Sequence, residues 1–403
     1  MAYMECKKSD KIIDMECKPE EVYKLFKKKS LWKKDLIQEK TGYCWLIAVL
    51  NCISVYMKKK NIDANYTFSV RNLIIYDKLE KANFFLEQVY ETRNEPINSR
   101  SVIYVLANAM TDKGNWRMAV NLIEKYGLLP VDDVDKCQIM RTANLNAIVS
   151  YLLKSYAYVI REKYKEMTYA EFNTLKEEVI SEVRNIIFSY WGEPINSVTL
   201  YDGIGNRIYL TQLEFYYKYV CFPFDEYICI MSNGVESKMY LHEIALDQNV
   251  YNAPKQQLLN VGDKIFLNAI NTQIENGDVC WIGIDAGKFL FKDYGIYDDG
   301  PFGIIEENIL HSNDIKKILY DYKIASPSHA VTLFDISSSQ NGIWWRVQNN
   351  IINEYTNNAN FYMSESWIMK YVFIAAVKKK YLQLDYENMM IKQTMPWDYF
   401  KIS

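Results

Sequence analysis

Four residues of this chain stand where each could do a different part of one reaction. Cys44 opens an apolar segment, CWLIAVLNCISVYMKKK, directly after Thr41-Gly42-Tyr43. A cysteine in the first turn of a helix has the positive end of the helix dipole available to stabilise a thiolate, the reactive form of the side chain. Taken alone, such a cysteine is usually a small buried residue and nothing more. His329, in Ser328-His329-Ala330, begins a β-branched and aromatic run, and a ring at the edge of a sheet can point into a cleft as a general base. Asn349 closes the next such run, a place from which an amide oxygen can accept the imidazole proton and fix the ring. Gln38 precedes Cys44 by a short loop, and its side-chain amide could join the Cys44 backbone N–H in an oxyanion hole. The order glutamine, cysteine, histidine, asparagine says more than any one of them, because each fills a different required role.

These residues need elements to hold them. Residues 44–60 are apolar on nearly all faces and end in three lysines suited to a helix C-terminus, so a buried helix is expected. Further helices are expected over 77–91, 116–126, 143–166 and 169–190, and Trp191-Gly192-Glu193-Pro194 ends that block. The period then changes. Residues 279–284, 329–336, 343–349 and 371–378 are short β-branched and aromatic runs separated by turn-rich stretches such as 337–342, which reads as an antiparallel sheet. Helices first and strands later is the α+β pattern.

Composition bounds the rest. With 403 residues, 49% hydrophobic and 24% charged, and only 15 Gly and 9 Pro, the chain is a packed globular protein rather than a disordered one. Its formal charge of −3 removes the usual reason to expect a nucleic-acid binder. Lysine clusters at 27–29, 33–34, 58–60 and 378–380 read as solvated faces. No apolar stretch reaches the roughly 18 residues a membrane span needs, and no secretory signal is visible at the N-terminus. A cytoplasmic location is the expectation. The eight cysteines form no CxxC pair, and His242, His311 and His329 make no HExxH pattern. Reduced thiols are expected, with neither a metal nor a cofactor.

The order of roles resembles papain-like cysteine peptidases, and the wider match is to the bleomycin hydrolase and aminopeptidase C family. It rests on QEKTGYCWLI (38–47), YDKLEKANFFLE (76–87), GNWRMAVNLIEKYGLLP (114–130), EFYYKYV (214–220), WIGIDAGK (281–288), SHAV (328–331), WRVQN (345–349) and MPWD (395–398). The resemblance implies an α+β papain-like fold, a helical lobe and an antiparallel sheet or barrel lobe, with a helical insertion and a C-terminal arm. The interval from Cys44 to His329 exceeds the roughly 130–150 residues of ordinary papain-like enzymes, and the family carries its insertion there. The implied division is one catalytic unit over 1–403: a mainly helical lobe over 20–140, the insertion over 141–192, a sheet-rich lobe over 193–394 and an arm over 395–403.

By the same resemblance Cys44 is the nucleophile, His329 the base and later acid, Asn349 the orienter and Gln38 the oxyanion donor. Gly114 and Asn115 line the substrate backbone groove, and the Ser403 carboxylate meets the free amine of a peptide substrate. The implied function is a cysteine aminopeptidase, and the implied assembly a ring-shaped homo-hexamer. The chain departs from the pattern in three places. Tyr43 stands for the usual arginine, Lys40-Thr41-Gly42 for Ser-Ser-Gly, and Lys113-Gly114 for paired glycines. A fourth departure lies beside the chemistry: Asn-Ser-Trp-Gly becomes Asn349-Asn350-Ile351-Ile352, so the tryptophan that shields the His–Asn hydrogen bond is missing. That change supports the alternative of a weakened or inactive family member serving as a scaffold or binding protein, with nucleic-acid binding a third class.

Overall fold

The structure, a computed structural model, describes residues 18–26, 36–37, 41–60, 67–131, 142–163, 166–201, 204–234, 240–299, 315–339, 342–353, 357–386 and 388–398. Helices dominate the first half: α1 (Pro19–Leu25), α2 (Cys44–Lys59), α3 (Val70–Glu91), α4 (Arg100–Ala107), α5 (Trp116–Tyr126), α6 (Thr142–Tyr158) and α7 (Tyr169–Trp191). Two small ribbons accompany them, β1 (Thr67–Phe68) with β2 (Pro130–Val131) and β3 (Ser197–Tyr201) with β4 (Arg207–Thr211). In the second half follow β5 (Tyr227–Met231), β6 (Leu241–Ile244), β7 (Gln257–Asn260), β8 (Cys280–Ile284), β9 (Leu290–Phe291), β10 (Ile296–Tyr297), β11 (His329–Ser339), β12 (Gly342–Asn353), β13 (Asn358–Ser364), β14 (Val372–Lys378) and β15 (Ile391–Thr394). Among the described residues these make one sheet in the order β15-β6-β7-β5-β14-β8-β11-β12-β13-β10-β9.

The expected α+β architecture is the observed one, with differences that have local causes. The helix expected from 77 begins at Val70, because the Ser69 hydroxyl accepts the Asn72 N–H and caps it. The helix expected to reach 166 stops at Tyr158 and passes into a π-helical turn, Val159–Lys163. The sheet is not purely antiparallel: β5 with β7, β6 with β15, and β10 with β13 run parallel. The stretch 337–342 expected as turn is strand at both ends, since β11 continues to Ser339 and β12 starts at Gly342.

Helix α2 sits at the centre of the main core, against β11, β12, β8 and α5. Its branched Ile47, Val49, Ile53 and Val55 are each up to about 0.7 kcal/mol poorer helix formers than alanine. All four are buried, and burial of such a side chain contributes about 1.5–3 kcal/mol, so packing rather than propensity holds the helix. A second apolar cluster joins α3 to α4, α6 and α7. Among the described residues no helix is long and apolar enough to cross a membrane.

Candidate active site

Cys44 is the first residue of α2, with Tyr43 as its N-cap and no acidic residue in the first turn to cancel the dipole. The N–H groups of a first turn have no partner within the helix, which leaves the Cys44 N–H able to face an oxyanion. Three side chains of the sheet strap α2 in register by bonding its carbonyls: Trp281 Nε1 to Trp45 O at 3.0 Å, Thr332 Oγ1 to Ala48 O at 3.1 Å, and Asn350 Nδ2 to Cys44 O at 3.3 Å.

His329 is the first residue of β11. The approach to it is fixed by Ser328 N–H on Ile284 O and by Asp285, whose carboxylate accepts from the N–H of Ser326 at 3.0 Å and from the Ser328 hydroxyl. Its Nε2 meets Asn349 Oδ1 at 2.8 Å, which leaves Nδ1 for the Cys44 thiol, its other hydrogen-bond partner. Burial drives the Cys44 pKa up, but the hydrogen bond and charge of His329, with backbone contacts from Ala330 and Trp45, bring it below the ordinary thiol value. The ring shows the converse: burial lowers its pKa, yet Cys44 and Asn349 hold it above the usual imidazole value. A thiol shifted down beside an imidazole shifted up is the arrangement of a thiolate–imidazolium pair.

Asn349 lies inside β12 rather than at its end. The pairing of β12 with β13 breaks between Gln348↔Asn360 and Asn353↔Asn358, and this bulge frees Asn349 from the ladder and aims it at His329. The missing tryptophan has replacements from elsewhere. Asn349 is fully buried, Ile351 is half-buried, and Tyr297 of β10 brings its phenol against the Asn349 side chain. The Tyr297 ring packs on Trp367 at 4.6 Å, and burial keeps the phenol protonated.

Asp112 carries no obvious signal in the sequence, yet it ties the nucleophile loop to its surroundings. Its carboxylate accepts from Gly42 N–H at 3.1 Å, Lys78 Nζ at 2.6 Å, Asn146 Nδ2 at 2.7 Å and the Thr142 hydroxyl, while its carbonyl takes Trp45 Nε1 at 2.8 Å. Burial pushes Lys78 down to about 8 despite the attraction of Asp112. Burial also works to raise the Asp112 pKa, but Lys78 and the hydrogen bonds hold it at about 2. A carboxylate depressed below its unfolded value contributes stability above that value, and loses it as pH falls toward 2. Asp112→Ala leaves the Lys78 ammonium buried without this partner, so calorimetry should show a loss of about 3–5 kcal/mol. A variant as stable as the wild type contradicts this account of the loop.

The remaining expected residues fall out unevenly. Gly114 lies against the Trp45 ring, where an added Cβ would come within 2.3 Å of Cε2, so close packing on the nucleophile helix already requires glycine there. Asn115 spends its side chain as the N-cap of α5, with Oδ1 accepting Met118 N–H at 3.0 Å and Nδ2 donating to Asp247 at 3.1 Å. Only its backbone is left to face a groove. Gln38 and Ser403 lie outside the described residues. His242 is buried and bonded to Thr394, its pKa lowered to about 4 by burial and by Lys392, far from the role of a base at neutral pH.

The family model described as the Peptidase C1-like family matches residues 5–400. The chain is 29% identical to a protein named Aminopeptidase C from Listeria innocua, over 90% of this chain and 84% of that one. It is 25% identical to a protein named Bleomycin hydrolase from Gallus gallus, with the same coverage of each. Among solved structures it superposes on pepw from Lactobacillus rhamnosis HN001 with a TM-score of 0.78, at 24% identity and over 93% of this chain and 88% of that one. That likeness shows the papain-like α+β fold.

Proposed function

The chain belongs to the Peptidase C1-like family, and from that premise we propose that it is a cysteine aminopeptidase, releasing N-terminal residues from peptides through a thioester acyl-enzyme. The observation that carries the chemistry is the run of hydrogen bonds from Cys44 through His329 to Asn349. The Cys44 thiolate attacks the first peptide carbonyl, forming the C–S bond. The oxyanion turns toward the Cys44 N–H, with Gln38 as the second donor. As the C–N bond breaks, the His329 imidazolium gives its proton to the departing amine. Water then attacks the thioester, His329 takes its proton, and the released amino acid leaves the thiolate restored. Asn349 keeps the ring turned for both steps. The test is release of N-terminal residues from a panel of free-amine peptides, with Cys44→Ala as the control.

The helices over 141–192 are read as an insertion, which the separate apolar cluster of α3, α4, α6 and α7 supports. A scaffold without catalysis is disfavoured by the shifts of Cys44 and His329 toward an ion pair. Nucleic-acid binding is disfavoured where two lysine clusters meet, since Lys59 and Lys378 both pair with Asp278 at 2.8 Å. A homo-hexamer is carried over on the family resemblance alone. Light scattering at micromolar concentration should give six times the chain mass, and a monomer mass rejects the assembly.

A further inference from the structure

Of the four residues in the altered segment 349–352, Asn350 has the most specific surroundings. It is fully buried. Its two amide protons have two acceptors, Cys44 O at 3.3 Å and Ala330 O at 3.1 Å, and its backbone N–H donates at 2.7 Å to Asn349 Oδ1, the same oxygen that holds the His329 ring. The ladder between β11 and β12 runs only as far as Thr332↔Gln348, so at Ala330 a side chain takes over what a backbone N–H would otherwise do. We infer that Asn350 is a positioning residue that sets the spacing of nucleophile and base, by bridging the carbonyl of Cys44 to the carbonyl of the residue after His329. This rests on the peptidase reading above.

The serine that the family pattern places here could not do the same. A hydroxyl has one proton and a shorter reach, whereas the amide has two protons in a fixed plane, matched to two carbonyls on different elements. The bridge draws the N-terminus of α2 onto the start of β11, and this brings the Ala330 backbone and the His329 ring to the thiol together. Among the described residues His329 is the titratable group whose charge acts on Cys44. A looser bridge therefore weakens the ion pair and the attack geometry at once.

The test combines steady-state kinetics on a free-amine peptide with the pH profile of Cys44 alkylation by iodoacetamide. Asn350→Ser should lower kcat about tenfold with KM within about twofold, since small misplacements of reacting groups cost this order. The acid limb of alkylation should move up by about half a pH unit as the thiolate loses imidazolium support. A folded Asn350→Ser protein whose kcat and profile match the wild type overturns the inference. So does a fall in kcat with an unmoved profile, which is what a structural role alone would give. Asn350→Gln, which keeps the amide but carries it one methylene further, provides the same comparison if the serine variant does not fold. Wild-type hydrolysis that survives Cys44→Ala sinks the peptidase reading instead, and that result is read from a different variant.

Discussion

Cys44→Ala and His329→Ala should each lower hydrolysis of a free-amine peptide by about 10^4-fold or more, because nucleophile and base act as one unit and losing either removes most of what both supply. The two variants differ in what they do to the thiol, and this makes the expectation sharper than a loss of activity. In the wild type, burial raises the Cys44 pKa, and His329 together with the backbone contacts from Ala330 and Trp45 more than offsets it, so alkylation by iodoacetamide should proceed at pH values where an ordinary thiol is still protonated. The low-pH limb belongs to the coupled pair rather than to Cys44 alone. Remove the ring and burial is left as the largest influence. The midpoint of Cys44 alkylation in His329→Ala should then rise above the ordinary thiol value. A midpoint that stays where it was would mean that His329 does not hold the thiolate, and turnover near wild type in either variant ends the assignment.

How much of this could be read in advance depended on whether the partners lie close in the chain. Cys44 at a helix start was legible, because Thr41-Gly42 and the apolar run after it are local signals. Helix α5 was legible at both ends, since the expected 116–126 are its observed bounds and Gly127 follows, where φ is +76° and glycine is favoured, whereas the use of Asn115 as its cap was not. The start of α3 was not, because the Val70–Ile75 stretch is as strand-like as it is helical and only the Ser69 cap decides it. The continuation of β12 past Asn349 was also hidden, since a bulge is a property of the pair of strands. Asp112 was silent for a similar reason: its partners Gly42, Lys78 and the pair Thr142 and Asn146 come from three separate parts of the chain. Tyr297 too reaches Asn349 only because β10 docks on β13 in parallel. The missing tryptophan was visible as a loss, while what covers Asn349 in its place could be seen only in three dimensions.

Deletion of Lys401 to Ser403, or extension of the chain beyond Ser403 by a tag, should weaken cleavage of free-amine peptides and admit N-acetylated ones, changing the ratio of the two rates by about tenfold. The reasoning starts from the part of the arm that is described. Strand β15 pairs with β6, and Thr394 takes Ala245 N–H on its carbonyl and His242 on its hydroxyl, so the arm is anchored where it leaves the sheet. Asp398 N–H closes a turn on Met395 O, and the Trp397 ring lies edge-on to Tyr104 of α4 at 6.0 Å. Tyr104 and Lys113 line one cavity of about 170 Å³, so the arm has come to the rim of the Lys113-Gly114-Asn115 segment that approaches Trp45. On the family resemblance, the proposed role of the arm's end is to bring the Ser403 carboxylate to the substrate amine in the cleft. An α-carboxylate there would pair with the α-ammonium of a substrate and leave no room for a longer N-terminal extension. The pair exists only when the substrate amine is free and charged, which is why acetylation is the discriminating change. Trp397→Ala, which loosens the anchor but leaves the carboxylate, should move the ratio the same way and by less. Equal free-to-acetylated ratios in the intact, truncated and tagged proteins would show that the tail does not select the free amine, and some other carboxylate near the groove, such as Asp247 in the wall of that cavity, would have to do so.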